Sequence, residues 1–441
     1  FSLFGANWFS HVFHSSIFNS LITILIYFTF VKFNLEKKYS FIFSFLFGVL
    51  AYTPSGTPFV DHHATFFLLA GTIFFALGMK TKIYLYWFLA PWFYGFSFLC
   101  KQVPFSYMAI VTFFVLVIYF FHEKDKKFIL YTIISSLFFL SFICLIIFFL
   151  NIGFKNFYVQ YLLYPPSIGG GRLGNFEITF ISFFNHYKFI VIPLLMIVFL
   201  NFKNQKENIF PLLLILSFAI CLIFHQILTK NQIYIYFLSP FLIGFLIIEI
   251  TKKNYKFKNS IVFATIIAGL LITLKYHDRF NEKRKFHELF SVDMSKSQDS
   301  SLINKKLSGF KWITSEYKDN SEKEVILLKL FQKKILDDKR KKMVITHYLF
   351  LSSLLEQNLN SPSRSFTLDG ASFPIKGNKY FLDYKEYFNS KIEKENIEVI
   401  YIMDNNISEN VVLNYLEKKC IKKVEKDESI IIFSLNSICF N

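Results

Sequence analysis

"TPSGTPFVDHHATFFLLAGTIFFALGMK", Thr53 to Lys80, holds the pattern that decides the fold. A turn-forming run with Pro54, Gly56 and Pro58 gives way to Asp61, His62 and His63. After these the chain carries no charge until Lys80. About 20 apolar residues, at 1.5 Å rise each, span the hydrocarbon of a bilayer, and the run from 62 to 79 approaches that length. An ordinary buried helix has no use for three ionisable residues at its mouth, so those three need their own account.

Runs of the same kind recur near 12–33, 39–54, 83–100, 105–121, 128–150, 178–200, 209–228, 232–250 and 259–276. The chain has 441 residues, 54% of them hydrophobic, with 61 Phe. A soluble domain with that load would expose aromatic surface that it has no means of burying. The expectation is an α-helical polytopic membrane protein with about ten transmembrane helices over residues 1–276.

The net charge of +17 raises nucleic acid as a partner. The distribution argues against it. Lys gathers in "NLEKKYS", "MKTK", "HEKDKK", "NFKNQKEN" and "TKKNYKFKN", while the alternate loops "TPSGTPFVDHH", "CKQVP", "NIGFKNFYVQYLLYPPSIGGGRLGNFE" and "LTKNQ" carry little. By the positive-inside rule the Lys-rich set is cytoplasmic. The Asp-His-His stretch and everything after residue 276 then face outward, so the expected place is a bacterial cytoplasmic membrane with the C-terminal domain in the periplasm. The partner is the lipid bilayer, not nucleic acid.

Residues 277–441 are a different material. "SEKEVILLKLFQKKILDD" has apolar spacing of three and four and reads as a helix with a Ser N-cap. "KKMVITHY", "IEVIYIMD" and "SIIIFSL" read as strands, "DYKEYFNSKIEKEN" and "SENVVLNYLEKKC" as helices, and "FKWITSEY" as a further strand. Alternating strands and helices predict a soluble α/β domain. Cys100, Cys144 and Cys221 fall in or beside apolar runs. Cys420 and Cys439 lie in the tail, where they are able to pair if it is extracytoplasmic, though spacing does not decide it.

Asp61 suits helix capping, but its histidines allow more. His62 and His63 fall on different helix faces, so one faces beside Asp61 while the other packs. A carboxylate with imidazole admits a divalent metal on Asp61 and His63, or a phosphate held by the protonated rings. No other cofactor is legible. Lys101, in "GFSFLCKQVPFSYMA", stands outward against the positive-inside bias and either snorkels or binds an anion. Arg172, in "GGGR", offers a phosphate clamp within a long outer loop. Lys230 and Tyr234 belong to a dense polar cluster with His225, Asn231 and Gln232 at another outer turn.

The segments "LFGANWFSHVFHSSIFNSLI", "TPFVDHHATFFLLAG", "GFSFLCKQVPFSYMAI" and "TKNQIYIYFLSPFLIG" occur in an order and with a sidedness that resemble the integral-membrane glycosyltransferases of the GT-C class, the protein-mannosyltransferase-like family 39 and its relatives. The resemblance covers roughly residues 1–276. It implies an inverting transfer of a sugar from a polyprenyl-phosphate donor to a lipid, glycan or protein acceptor at the outer face. It implies Asp61 as a second acidic site residue and His62, His63, Lys101, Arg172, Lys230 and Tyr234 as substrate contacts. The family's main catalytic Asp precedes its second helix, and so is expected upstream of Phe1, with the chain read as N-terminally truncated. The rivals are a glycan or lipid transporter and an O-antigen polymerase or ligase. Transporters favour broken half-helices, and the polymerase class relies on Arg and His in a large outer loop, where this chain has Arg172 and His186.

Overall fold

The computed structural model describes residues 5, 7–51, 60–173, 179–202, 209–229, 235–253, 256–277, 289, 291–363, 372–403, 409–416, 420–427 and 429–436. The chain divides into two compact units. One comprises Phe13–Ile146 and Asn175–Lys285; the other comprises Phe1–Val12, Ile147–Gly174 and Phe286–Asn441.

The first unit is helical: α1 (Trp8–Lys32), α2 (Lys37–Ala51), α3 (Val60–Thr81), α4 (Tyr84–Cys100), α5 (Gln102–His122) and α6 (Lys127–Phe149). In the other unit the chain then forms α7 (Phe154–Asn156), a π-helical stretch Phe157–Leu163, and α8 (Tyr164–Leu173). The helical unit resumes with α9 (Phe180–Phe202), α10 (Ile209–Thr229), a 3₁₀ turn Ile235–Phe237, α11 (Leu238–Thr251) and α12 (Lys258–His277).

Among the described residues, seven helices are long and apolar enough to cross a membrane: Val12–Lys32, Val60–Thr81, Gln102–His122, Lys127–Phe149, Phe183–Asn201, Ile209–Thr229 and Lys258–His277. The other three apolar runs form the shorter α2, α4 and Ile235–Thr251. Outward faces are apolar. Phe113, Phe114 and Phe121 on α5, Leu137 and Phe138 on α6, and Phe263 and Leu271 on α12 are all exposed. That surface suits lipid and not water.

The helix α11 is the unit's centre. Every residue from Ile235 to Ile250 is buried. Gly244 lets Phe30 of α1 lie against its backbone, since a Cβ there would meet the Phe30 ring at 2.4 Å. Phe241 packs on Phe30 and on Phe47 of α2. A helix wrapped by protein needs no polar face.

The helices α3 and α4 form a tight antiparallel hairpin. Lys82, at φ 60°, turns the chain out of α3. Gly78 then lies against Trp87 and Gly71 against Tyr94, where a Cβ would meet the tyrosine ring at 2.3 Å. Further out, the Ser97 hydroxyl donates to the Ala64 carbonyl at 2.7 Å. Tyr94 also ties the hairpin to α5, its hydroxyl lying 3.2 Å from Thr72 Oγ1 and 2.7 Å from Thr112 Oγ1.

The other unit is built on a sheet. Its main elements are β1 (Gln298–Asp299), β2 (Lys311–Trp312), α13 (Ser321–Asp337), β3 (Lys342–Thr346), α14 (Leu351–Leu355), α15 (Phe381–Lys394), β4 (Val399–Met403), α16 (Glu409–Leu413), β5 (Ile421–Asp427) and β6 (Ile430–Leu435). Four strands run in the order β3-β4-β6-β5, with β3 parallel to β4 and the rest antiparallel. Side chains alternate between two cores. Met343, Ile345, Ile400, Ile402 and Phe433 pack with Phe388 of α15 and Val412 of α16. Val344, Val399, Tyr401 and Ile432 pack with Leu328 and Phe331 of α13. Both faces are covered, which is why β3, β4 and β6 read as continuous apolar runs.

Three local expectations change. The N-cap of α13 is Asn320, whose side chain accepts from the Lys323 amide, and not Ser321. The strand β5 escaped a reading by hydropathy because "IKKVEKD" is an edge strand with exposed Lys422, Lys423, Glu425 and Lys426; charge on an edge discourages further pairing. The loop expected on the outer side is helical across "GGGR". Pro165 and Pro166 have no N–H to offer the carbonyls of Tyr161 and Leu162, and the turn before them widens to π geometry, with the Tyr164 amide bonding back to Val159.

Candidate functional site

The hairpin register brings the first two site residues together. Ala64 stands opposite Ser97 and Gly71 opposite Tyr94. The next step outward sets Asp61, in the first turn of α3, opposite Lys101. Lys101 is the single residue between α4 and α5, held extended at φ −160° and ψ 133°, with its amide donating to Ser97 at 2.9 Å. Pro104 disfavours a helical residue before it, and Val103 is extended at φ −117° and ψ 136°. The break turns the Lys101 side chain back over the hairpin, where its ammonium donates to Asp61 Oδ1.

A third helix completes the group. His225, fully buried in α10, has Nε2 3.8 Å from the same Asp61 Oδ1. Tyr107 of α5 packs beside it, its ring edge-on to Phe224 at 5.1 Å. Gln226, also buried, makes no hydrogen bond among the described residues. Buried amides of this kind carry unused bonding capacity that apolar packing does not satisfy. The result is a carboxylate from α3, an ammonium from the α4–α5 junction and an imidazole from α10, meeting where α3 begins. The Asp61 side chain keeps 16% exposure and Lys101 28%, so the group is reachable from outside the bundle.

The two histidines after Asp61 part company. His62 is buried, its ring 4.4 Å from that of Phe66. His63 turns to α1 and places Nε2 3.0 Å from His14 Nε2. His62 is the ring that packs; the other, expected to face a cavity beside Asp61, stands against His14 of α1. Among the described residues no three His, Cys, Asp or Glu gather as a metal cluster. Neither His14 nor His225 stood among the expected site residues. The signal for His225 was present: a histidine within the otherwise apolar "LLLILSFAICLIFHQIL" has to meet a polar partner.

Arg172 lies on α8 in the sheet unit, with its side chain outside the described residues. Lys230 and Tyr234 also lie outside the described residues. Of the expected convergence, the structure brings together Asp61 and Lys101. No family model and no curated protein sequence matches this chain.

Proposed function

We propose that this protein is a multi-pass membrane glycosyltransferase of the GT-C type that uses a polyprenyl-phosphate-linked sugar. The observation that carries the reading is the meeting of Asp61, Lys101 and His225 at one helix end. An acidic group beside two basic ones at the edge of an apolar bundle suits a reaction that releases a lipid phosphate. In that reaction the acceptor hydroxyl attacks the anomeric carbon, the bond from that carbon to the phosphate oxygen breaks, the configuration inverts, and the hydroxyl proton ends on the released lipid phosphate or in water. Lys101 stabilises the departing phosphate. Asp61, positioned by Lys101 and His225, orients the acceptor and is not assigned as the general base.

Ten crossings, with the sheet unit outside, fit this reading. Parity supports the count. Lys155 donates to Glu386 at 2.6 Å, Lys394 to the Asn151 carbonyl at 3.0 Å, and Asn378 to Ser167 at 3.4 Å. Segments that touch lie on one side of a membrane. Between them run α9, α10, α11 and α12, and an even number of crossings there supports counting the buried α11 with its three longer neighbours. Cys420 is disulfide-bonded, whereas Cys100, Cys144 and Cys221 are free thiols; a disulfide in the tail favours an oxidising compartment.

The test is the natural full-length protein in proteoliposomes carrying undecaprenyl-phosphate-linked hexoses and pentoses, with release of undecaprenyl phosphate as the readout. Release is expected from the wild type and is expected to fall by about 10²-fold or more in Asp61→Asn. No release across the donor panel, or equal release by Asp61→Asn, would sink the proposal.

A further inference from the structure

We propose that His14 and His63 form a two-imidazole site for a divalent transition metal of the late first row. The two rings come from α1 and α3, with Nε2 atoms 3.0 Å apart. Two nitrogens bound to one metal at about 2.0–2.1 Å, at a right angle, stand about 2.9 Å apart. The observed spacing matches that value, and the two ring planes lie within 12° of each other. Nor can both nitrogens be protonated at this distance, because two donors would then face each other. At least one Nε2 keeps its lone pair, and the second presents its own when its proton sits on Nδ1.

The rings are held in place before any metal arrives. Phe18 packs edge-on against His14 at 5.3 Å and against His63 at 4.5 Å. Phe67 braces Phe18 in turn, at 5.4 Å. Each helix carries the same spacing, a histidine followed one turn later by phenylalanine: "HSSIF" over 14–18 and "HATFF" over 63–67. Residues four apart share a helix face, so the two His-Phe pairs meet as facing rows. Ligands whose rotamers are locked by packing bind with little ordering cost.

Two imidazoles suit Zn²⁺, Cu²⁺ and Ni²⁺ and disfavour Mg²⁺ and Ca²⁺. Among the described residues no third His, Cys, Asp or Glu joins the pair, and two imidazoles leave further coordination positions of such a metal to other donors. The site bridges α1 and α3 and stands whether or not the chain transfers a sugar.

The experiment uses the full chain in detergent, freed of any affinity tag and stripped with chelator. It is dialysed against Ni²⁺, Cu²⁺ or Zn²⁺ alone, and bound metal is measured by elemental analysis. Stoichiometric binding is expected in the wild type, lost in both His14→Ala and His63→Ala, and kept in His186→Ala, which removes an exposed imidazole from α9. Absence of binding in the wild type, or equal binding in all three variants, overturns the proposal. If either His variant fails to fold, the Cu²⁺ spin-resonance spectrum of the wild type decides. Splitting from two imidazole nitrogens supports the site, and splitting from one or none refutes it.

Discussion

Asp61 in the helical unit and Asp338 in the sheet unit are both held by cations, and they are held in different ways. Asp338 is gripped by Arg340, two residues on, through Nε at 3.0 and 3.1 Å and Nη2 at 2.7 Å, with the Tyr401 hydroxyl donating at 2.5 Å. Both of its oxygens are engaged by a planar fork that matches a carboxylate. Asp61 meets Lys101 and His225 at Oδ1 alone, and those partners stand on other helices. The first arrangement is a local clasp at the end of α13. The second exists only after α3, the α4–α5 junction and α10 assemble; Lys101 is a point donor and the His225 imidazole stands off at 3.8 Å. Saturated, short-range pairing marks a structural role. Long-range, one-sided pairing at an accessible edge marks a candidate for chemistry.

The sharpest way to break this contrast is Lys101→Met. It strands a largely buried carboxylate and is expected to destabilise the helical unit by about 3 kcal/mol. The double variant Asp61→Asn with Lys101→Met should recover most of the loss. Thermal unfolding in detergent measures both, and an equally unstable double variant would show that the two residues are not coupled.

A somewhat smaller effect, about 1–3 kcal/mol, is expected for Gly71→Ala, because the new methyl group runs into the Tyr94 ring. That displacement also moves the hairpin register, so transferase activity should fall along with stability. Activity lost with no change in stability would separate the register from the packing.

Next in size is the pH response of the clasp. Burial pushes the Asp338 carboxyl up, but the Arg340 guanidinium and the Tyr401 hydroxyl together outweigh it and hold the group at about 2. A depressed folded value means stability that is present above the ordinary carboxylate range and is lost as pH falls from about 4 towards about 2. After allowance for solvent screening the gain is about 1–2 kcal/mol. Thermal melts of wild type and Asp338→Asn should therefore differ at pH 7 and converge near pH 2; a constant gap would disprove the assignment. Smallest of all is Lys155→Ala. It removes exposed pairs with Glu386 and Asp383, and the unfolding midpoint should stay within error of wild type.

Much of the architecture was legible because it rests on local pattern. The apolar runs came through as helices, and the strands at "KMVIT", "VIYIM" and "IIIFSL" came through because burial on both faces leaves a continuous apolar signature. The charged edge strand β5 did not, because its pairing with β6 is made by backbone atoms that composition does not record. At the site, Asp61 and Lys101 stood out as polar residues at helix ends. His225 was read only as a member of a polar cluster at a turn and not as a partner of Asp61, and His14 was passed over, because nothing near either in the sequence names the residue it meets.

The amino-acid sequence by itself determined that this chain is built of membrane-length helices followed by an α/β tail, and that ionisable residues cluster at particular helix ends. Hydropathy and periodicity are properties of neighbouring residues, and they survive without a fold. Only the tertiary structure decided that Asp61 meets Lys101 and His225, that His63 turns to His14, and that residues 147–174 belong with the sheet unit. Those choices depend on the rotation and depth of each helix against the next. Rotation and depth are set by close contacts such as Gly71 on Tyr94 and Gly244 on Phe30, between residues far apart in the chain, and no local pattern encodes them.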